Sequence, residues 1–187
     1  MNVKLVSYSQ PSSELLDQNL DDVQDLIAYC ARVSNPNNQY NTETSTKLLN
    51  FLARHAHWSP FEMVSMCLEI ETTRDIARQI LRHRSFSFQE FSQRYANPTE
   101  DLEFVIREAR LQDNKNRQNS IEINDETPSE RVLKEMWNEK QANVIQASRE
   151  AYEWAIKNGI AKEQARAVLP EGNIMSRMYM NGTVRSW

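Results

Sequence analysis

Five arginines fall between residues 74 and 94 (74, 78, 82, 84 and 94), against two acids, Asp75 and Glu90. The stretch carries a local +3 in a chain of net charge −4, so the remaining residues sum to −7. A cationic patch in an acidic protein suits a small anion better than a long polyanion, and the overall balance argues against general nucleic-acid binding. Two readings of the arginines compete. Arg82-His83-Arg84 falls where a helix should end, and cations there are favoured by the helix dipole. Arg74, Arg78 and Arg82 also repeat every four residues, as on a solvated stripe. The other reading is an anion site. Residues Ser85 to Tyr95 favour it, because they put hydroxyls, amides, the Glu90 carboxylate and Arg94 into one loop, a set suited to a phosphate and a polar heterocycle.

Other chemistry is poorly supported. Three glycines, at 159, 172 and 182, cannot build a dinucleotide fingerprint or a phosphate-cradling loop, so side chains or helix ends must hold any phosphate. His55 and His57 suggest a metal pair, but no nearby carboxylate or thiol completes a set, and no metal is expected. Ser92 has no His–Asp partner suggested by sequence and reads as a phosphate ligand rather than a nucleophile. Cys30 and Cys67 have no metal-type spacing. Both read as reduced core residues in a cytoplasmic protein, which leaves no convincing thiolate for covalent catalysis.

The elements that must position these residues follow from periodicity. The 187 residues suffice for one domain spanning 1–187, with 40% hydrophobic and 26% charged residues and no apolar run long enough to span a membrane. Strands are expected at 2–8, 63–72, 103–111 and 174–180, and helices at 21–33, 44–55, 127–158 and 161–169. Thr72 and Thr73 are expected to cap a helix running through Arg82. Gln112 to Asp125 reads as a mobile loop, Thr127 to Glu130 as a capping box, Gly159 as a helix stop, and Asn181-Gly182 as a turn. Trp137, Trp154 and Met175, Met178 and Met180 read as core or subunit interface. Irregular interspersion of the elements points to an α+β domain, an antiparallel or mixed sheet packed with helices.

Arg82-His83-Arg84, seven residues, then Ser92 and Gln93-Arg94-Tyr95, resembles the signature of flavin-dependent thymidylate synthases. Further blocks match in order: Ala31-Arg32-Val33-Ser34, His57-Trp58-Ser59-Pro60-Phe61-Glu62, Arg110-Leu111-Gln112 with Asn116-Arg117-Gln118, Ala165 to Pro170, and Asn181 to Trp187. The likeness covers most of the chain. It implies reductive methylation of dUMP to dTMP, with methylenetetrahydrofolate as carbon donor, FAD as hydride carrier and NADPH as reductant, in an obligate oligomer, a homotetramer with shared active sites. Carried over residue by residue, Gln79, Arg82, Glu90, Phe91, Ser92, Gln93, Arg94 and Arg166 would bind dUMP, with Arg166 reaching it from another subunit. Ser34, His57, Ser59, Arg82, His83, Arg84, Glu90, Thr183 and Arg185 would contact FAD, and Thr183 stands where relatives often have Asn.

Family members continue beyond the position of Trp187 into a helix bearing an arginine that contacts the pyrimidine. The resemblance therefore implies that this sequence lacks that segment. The alternatives are a nucleotide- or flavin-binding homologue that is catalytically incomplete without it, and an RNA-binding module built on the arginine stretch, which the acidic remainder disfavours.

Overall fold

The structure is a computed structural model that describes residues 1–187. In chain order its elements are strand β1 (Asn2–Tyr8), helices α1 (Ser13–Leu16), α2 (Val23–Ala31) and α3 (Ser45–Arg54), strand β2 (Ser65–Thr73), helix α4 (Arg74–Ile80), strand β3 (Ser87–Glu90), helix α5 (Pro98–Asp101), strands β4 (Arg110–Gln112) and β5 (Ser120–Glu122), helices α6 (Pro128–Lys157) and α7 (Lys162–Ala165), and strand β6 (Met175–Thr183). Short 3-10 turns occupy Pro36–Asn38, Ser59–Glu62 and Arg166–Val168. The chain falls into two compact units interleaved in sequence. One comprises Met1, Glu71–Ile80 and Glu90–Arg177, the other Asn2–Ile70, Leu81–Gln89 and Met178–Trp187. Strands β2, β3 and β6 therefore each contribute residues to both.

The second of these units holds most of a four-stranded sheet in the order β1-β2-β6-β3. The Tyr179 hydroxyl donates to Glu69 at 2.8 Å and the Arg177 guanidinium to Glu71 at 2.9 Å. One partner number falls by two as the other rises by two, so β2 and β6 run antiparallel. Helix α2 lies within the expected 21–33 and starts at Val23, because the Asp22 carboxylate caps it by accepting the Asp25 N–H at 2.9 Å. Leu20, Ile27, Ala28, Leu52, Val64, Met178 and Met180 are buried in this unit. The expected turn at Asn181-Gly182 is instead strand, and the chain turns only at 184–186. Glycine is required at 182 for space rather than for a turn. A Cβ there would lie 2.4 and 2.6 Å from two ring carbons of Phe86, a ring stacked edge-on against Trp187 at 4.7 Å.

The other unit is built around α6, which is 30 residues long. Tyr152, Ala155, Ala165, Leu169 and Ile174 form its buried cluster, with Phe104 and Ile156 packed against it. The Arg149 guanidinium lies 5.1 Å from the centre of the Phe104 ring. The C-terminus of α6 stops at Gly159 as expected. Its φ is +78°, and the Ile160 N–H reaches back to the Ala155 carbonyl while the Gly159 N–H reaches Ile156, which satisfies the last carbonyls. The capping box does not form: the Glu130 carboxylate accepts the Asn124 N–H at 2.7 Å, and the Thr127 side chain caps nothing. Trp137 and Trp154 are 45% and 63% exposed, so neither is core within the chain.

Two further expectations fail here. Residues 103–111 are mostly irregular, with only an antiparallel bridge between Phe104 and Ile174 before β4 begins. The supposed mobile loop is a hairpin in which Arg110, Leu111 and Gln112 pair with Glu122, Ile121 and Ser120. Its tip is held by Asp113, whose carboxylate accepts the N–H groups of Lys115 and Asn116 and the Asn119 amide. Those bonds hold the carboxyl below its ordinary range. Polar composition read as disorder, whereas the side chains bond locally to the backbone.

Gly182→Ala is expected to destabilise the protein by about 1–3 kcal/mol, the usual cost of overpacking. Urea unfolding followed by Trp fluorescence measures this, and an unchanged midpoint would show that Phe86 moves aside freely.

Candidate active site

Helix α4 begins directly at the end of β2, which decides where its first side chain goes. The Arg74 N–H donates to the Ile174 carbonyl at 2.9 Å and the Asp75 N–H to the Glu171 carbonyl at 3.1 Å. Backbone carbonyls thus satisfy the first orphan donors of the helix. The threonines expected to do so are buried, and the Thr73 hydroxyl instead accepts from Arg107 at 2.7 Å. This anchoring buries Arg74, only 5% exposed. Its NH1 lies 3.4 Å from Glu90 Oε1 and its Nε 3.5 Å from Glu171 Oε1. Burial pulls the guanidinium below its ordinary value. Glu90 and Glu171 oppose that shift, while Arg78 and Arg166 add to it. Glu90 is in turn fixed by the buried Ser176, whose hydroxyl donates to Oε1 at 2.9 Å.

Arg74, Arg78, Gln93, Arg166, Ala167, Leu169 and Glu171 line a cavity of about 350 Å3. Gln93 is 3% exposed, and its Nε2 donor has no hydrogen-bond partner. A buried amide left without an acceptor is costly, and an anion or carbonyl oxygen entering the cavity would satisfy it. Three arginines, one carboxylate and one unsatisfied amide give this cavity a cationic lining that could hold an anion.

The site residues expected from sequence divide around this cavity. Gln93 and Arg166 line it, on one and the same chain. Glu90 stands behind it, holding Arg74. Ser92 and Arg94 follow: the Arg94 N–H donates to Ser92 Oγ at 3.4 Å, and the Arg94 side chain pairs with Glu163 at 3.4 Å. Phe91 is half-buried, and its N–H donates to the Arg177 carbonyl at 2.8 Å. Gln79 is exposed, on the last turn of α4. Helix α4 ends at Ile80 rather than running through Arg82, so Arg82 lies in the following turn and is not a helix neighbour of Gln79. Residues 85–95 are likewise not one loop, since 87–90 form β3.

The four-residue spacing of Arg74 and Arg78 is compatible with a solvated stripe, and the structure makes both of them cavity walls. One signal was available: like charges four apart on a helix repel, which calls for a compensating anion.

A second cavity, of about 600 Å3, is lined by Glu62, Met63, Ser85, Thr183, Arg185 and Ser186. Arg185 pairs with Glu62, and its N–H donates to the Phe61 carbonyl at 3.2 Å. The Ser186 hydroxyl donates to the Ser85 carbonyl at 3.1 Å and lies 3.2 Å from that of Thr183. Thr183 and Arg185 are thus brought together. Ser34, His57, Ser59, Arg82, His83 and Arg84 are exposed and line neither cavity. The His83 ring packs edge-on against Phe86 at 6.2 Å. His55 and His57 stand 6.3 Å apart beside Phe51, and no group of three or more His, Cys, Asp or Glu converges. Both cysteines are free, and burial pushes the Cys30 thiol up.

The architecture is that of a known class. A UMP/dUMP methylase, PolB from Streptomyces cacaoi, solved with 5-Br dUMP, superposes with a TM-score of 0.76 at 24% identity over 99% of this chain and 74% of that one. Relationship by sequence is closer and more specific. Residues 14–187 match the family model described as thymidylate synthase complementing protein. A flavin-dependent thymidylate synthase of Synechocystis sp. is 51% identical over 187 residues, all of this chain and 81% of that protein. A protein of Paramecium bursaria Chlorella virus 1 described as "Probable flavin-dependent thymidylate synthase" is 46% identical over the same shares. The chain belongs to the flavin-dependent thymidylate synthases, a family of methyltransferase enzymes.

Glu90→Gln leaves Arg74 buried with a single counter-charge. The expected loss is about 1.5–3 kcal/mol, the scale of a hydrogen bond to a charged group. Chemical denaturation measures it, and an unaltered midpoint would mean that Glu171 alone suffices.

Proposed function

We propose that this chain carries out reductive methylation of dUMP to dTMP, with methylenetetrahydrofolate as carbon donor, FAD as hydride carrier and NADPH as reductant. The observation that carries the reading is the arginine cavity with the unsatisfied Gln93 amide. A nucleoside monophosphate brings close to two negative charges and several acceptor oxygens, which the forked guanidinium groups of Arg74, Arg78 and Arg166 match. Ser92 and Arg94 lie next to Gln93 in sequence and extend the donor set. Gln79 and Arg82 would also meet the nucleotide.

The second cavity offers a guanidinium paired with the Glu62 carboxylate, three hydroxyls and the exposed thioether of Met63. That donor set fits the phosphate and ribose oxygens of a flavin nucleotide, so Thr183, Arg185, Ser85 and Ser186 would hold FAD. Ser34, His57, Ser59, Arg82, His83 and Arg84 would supply further contacts. When bound, FAD supplies hydride. The chain's own groups align the substrate and neutralise its charge, and the reading assigns no protein nucleophile.

A homotetramer is part of the proposal. Val132, Leu133, Met136, Trp137 and Val144 along α6 are 45–52% exposed, more apolar surface than one helix normally leaves to water. No helix is long and apolar enough to cross a membrane, in keeping with a proposed cytoplasmic site of action.

The test is dUMP-dependent NADPH oxidation with formation of dTMP by purified protein carrying FAD. Absence of dTMP with flavin and dUMP both bound would sink the synthase reading in favour of a binding protein. Arg166→Ala is expected to weaken dUMP binding by about 1.5–3 kcal/mol, read by calorimetry, and unchanged affinity would remove Arg166 from the site.

A further inference from the structure

Glu171 is the one acidic side chain on the wall of the arginine cavity. Its Oε1 stands 3.5 Å from Arg74 Nε and 3.5 Å from Arg78 NH2, bridging two of the three arginines. Its backbone is fixed, because the Glu171 carbonyl accepts the Asp75 N–H at the start of α4. The side chain is not fixed in the same way: it is 51% exposed, against 6% for Arg74. A buried cation cannot follow a departing partner into water, whereas a half-exposed carboxylate is rehydrated at little cost. Both contacts are long for a charge-assisted hydrogen bond, which is usually 2.7–2.9 Å.

We infer that Glu171 is an internal counter-ion that occupies the anion pocket until a phosphate displaces it, and so sets the pocket's selectivity for doubly charged phosphate esters. The inference rests on the nucleotide reading of the cavity and deepens it. A dianionic phosphate outcompetes the carboxylate for Arg74 and Arg78 because it carries more charge and more acceptor oxygens. A monoanion or a neutral nucleoside gains too little to move it. Selectivity then arises from a resident competitor as well as from favourable contacts. Gln93 serves the same end, since its unpartnered Nε2 awaits an oxygen that the structure shows no protein group supplying.

Removing the competitor must tighten anion binding. Calorimetric titration of the unaltered chain, Glu171→Gln and Glu171→Ala with inorganic phosphate, dUMP and deoxyuridine tests this. Expected is a fall in Kd of about three- to tenfold for phosphate and for dUMP in both variants, the scale of one partly screened charge, with deoxyuridine unaffected. Phosphate and dUMP binding that is unchanged or weaker in both folded variants would overturn the inference, as would equal tightening of deoxyuridine. Loss of the fold in both would overturn it too, by making Glu171 structural. If the unaltered chain binds phosphate but not dUMP, the nucleotide reading fails, and the phosphate titrations still decide the role of Glu171.

Discussion

Taking the guanidinium of Arg74 out of water costs several kcal/mol unless nearby carboxylates and fixed dipoles compensate, and much of the surrounding architecture meets that requirement. Glu90 comes from the end of β3, Glu171 from the segment before β6, and Ser176 from β6 itself. Each is held by its own backbone pairing. The start of α4 is tied to the Ile174 and Glu171 carbonyls, so the helix cannot rotate to let the arginine reach solvent. A cation held in this way is pre-organised: its orientation is settled before any ligand arrives, and binding need not order it.

The same constraint explains why the cavity is polar yet unsatisfied. Arg74 and Arg78 share one carboxylate at long range, and the Gln93 amide has no acceptor. Folded proteins rarely leave such groups in this state without a function for them. The cavity is incompletely neutralised, which is the observation the nucleotide proposal rests on. The Arg185 cavity differs in kind. It is built from hydroxyls, a thioether and one exposed ion pair, so its single guanidinium already has a carboxylate beside it.

Packing around Phe86 shows a second constraint of the same logic. The ring fills the space above Gly182 and meets Trp187, His83 and Phe88 at 4.7–6.3 Å. Residues on either side of this ring belong to the stretches 83–88 and 182–187, which carry the histidine-arginine motif and the Arg185 wall. A single missing side chain lets the two stretches approach.

The family is legible in the residues alone, because colinear blocks of unusual residues can be matched without any knowledge of contacts. The sequence also sufficed for the positions of β1, α2, α3, β2, α6 and β6, where periodicity and, at Gly159, a local stop signal act within a few residues. Two of its assigned site residues, Gln93 and Arg166, line the arginine cavity, and two more, Thr183 and Arg185, line the other. Tertiary structure alone decided the rest. Arg74 looked like one step of a solvated stripe, since spacing along a helix says nothing of which face meets a sheet end. Thr127 and Glu130 have the pattern of a capping box, but the glutamate accepts the Asn124 N–H instead. Asn181-Gly182 looked like a turn because composition cannot reveal that a phenylalanine 96 residues away in sequence needs the space. In each case the deciding interaction joins residues remote in sequence or competing for one group, and no local pattern encodes that.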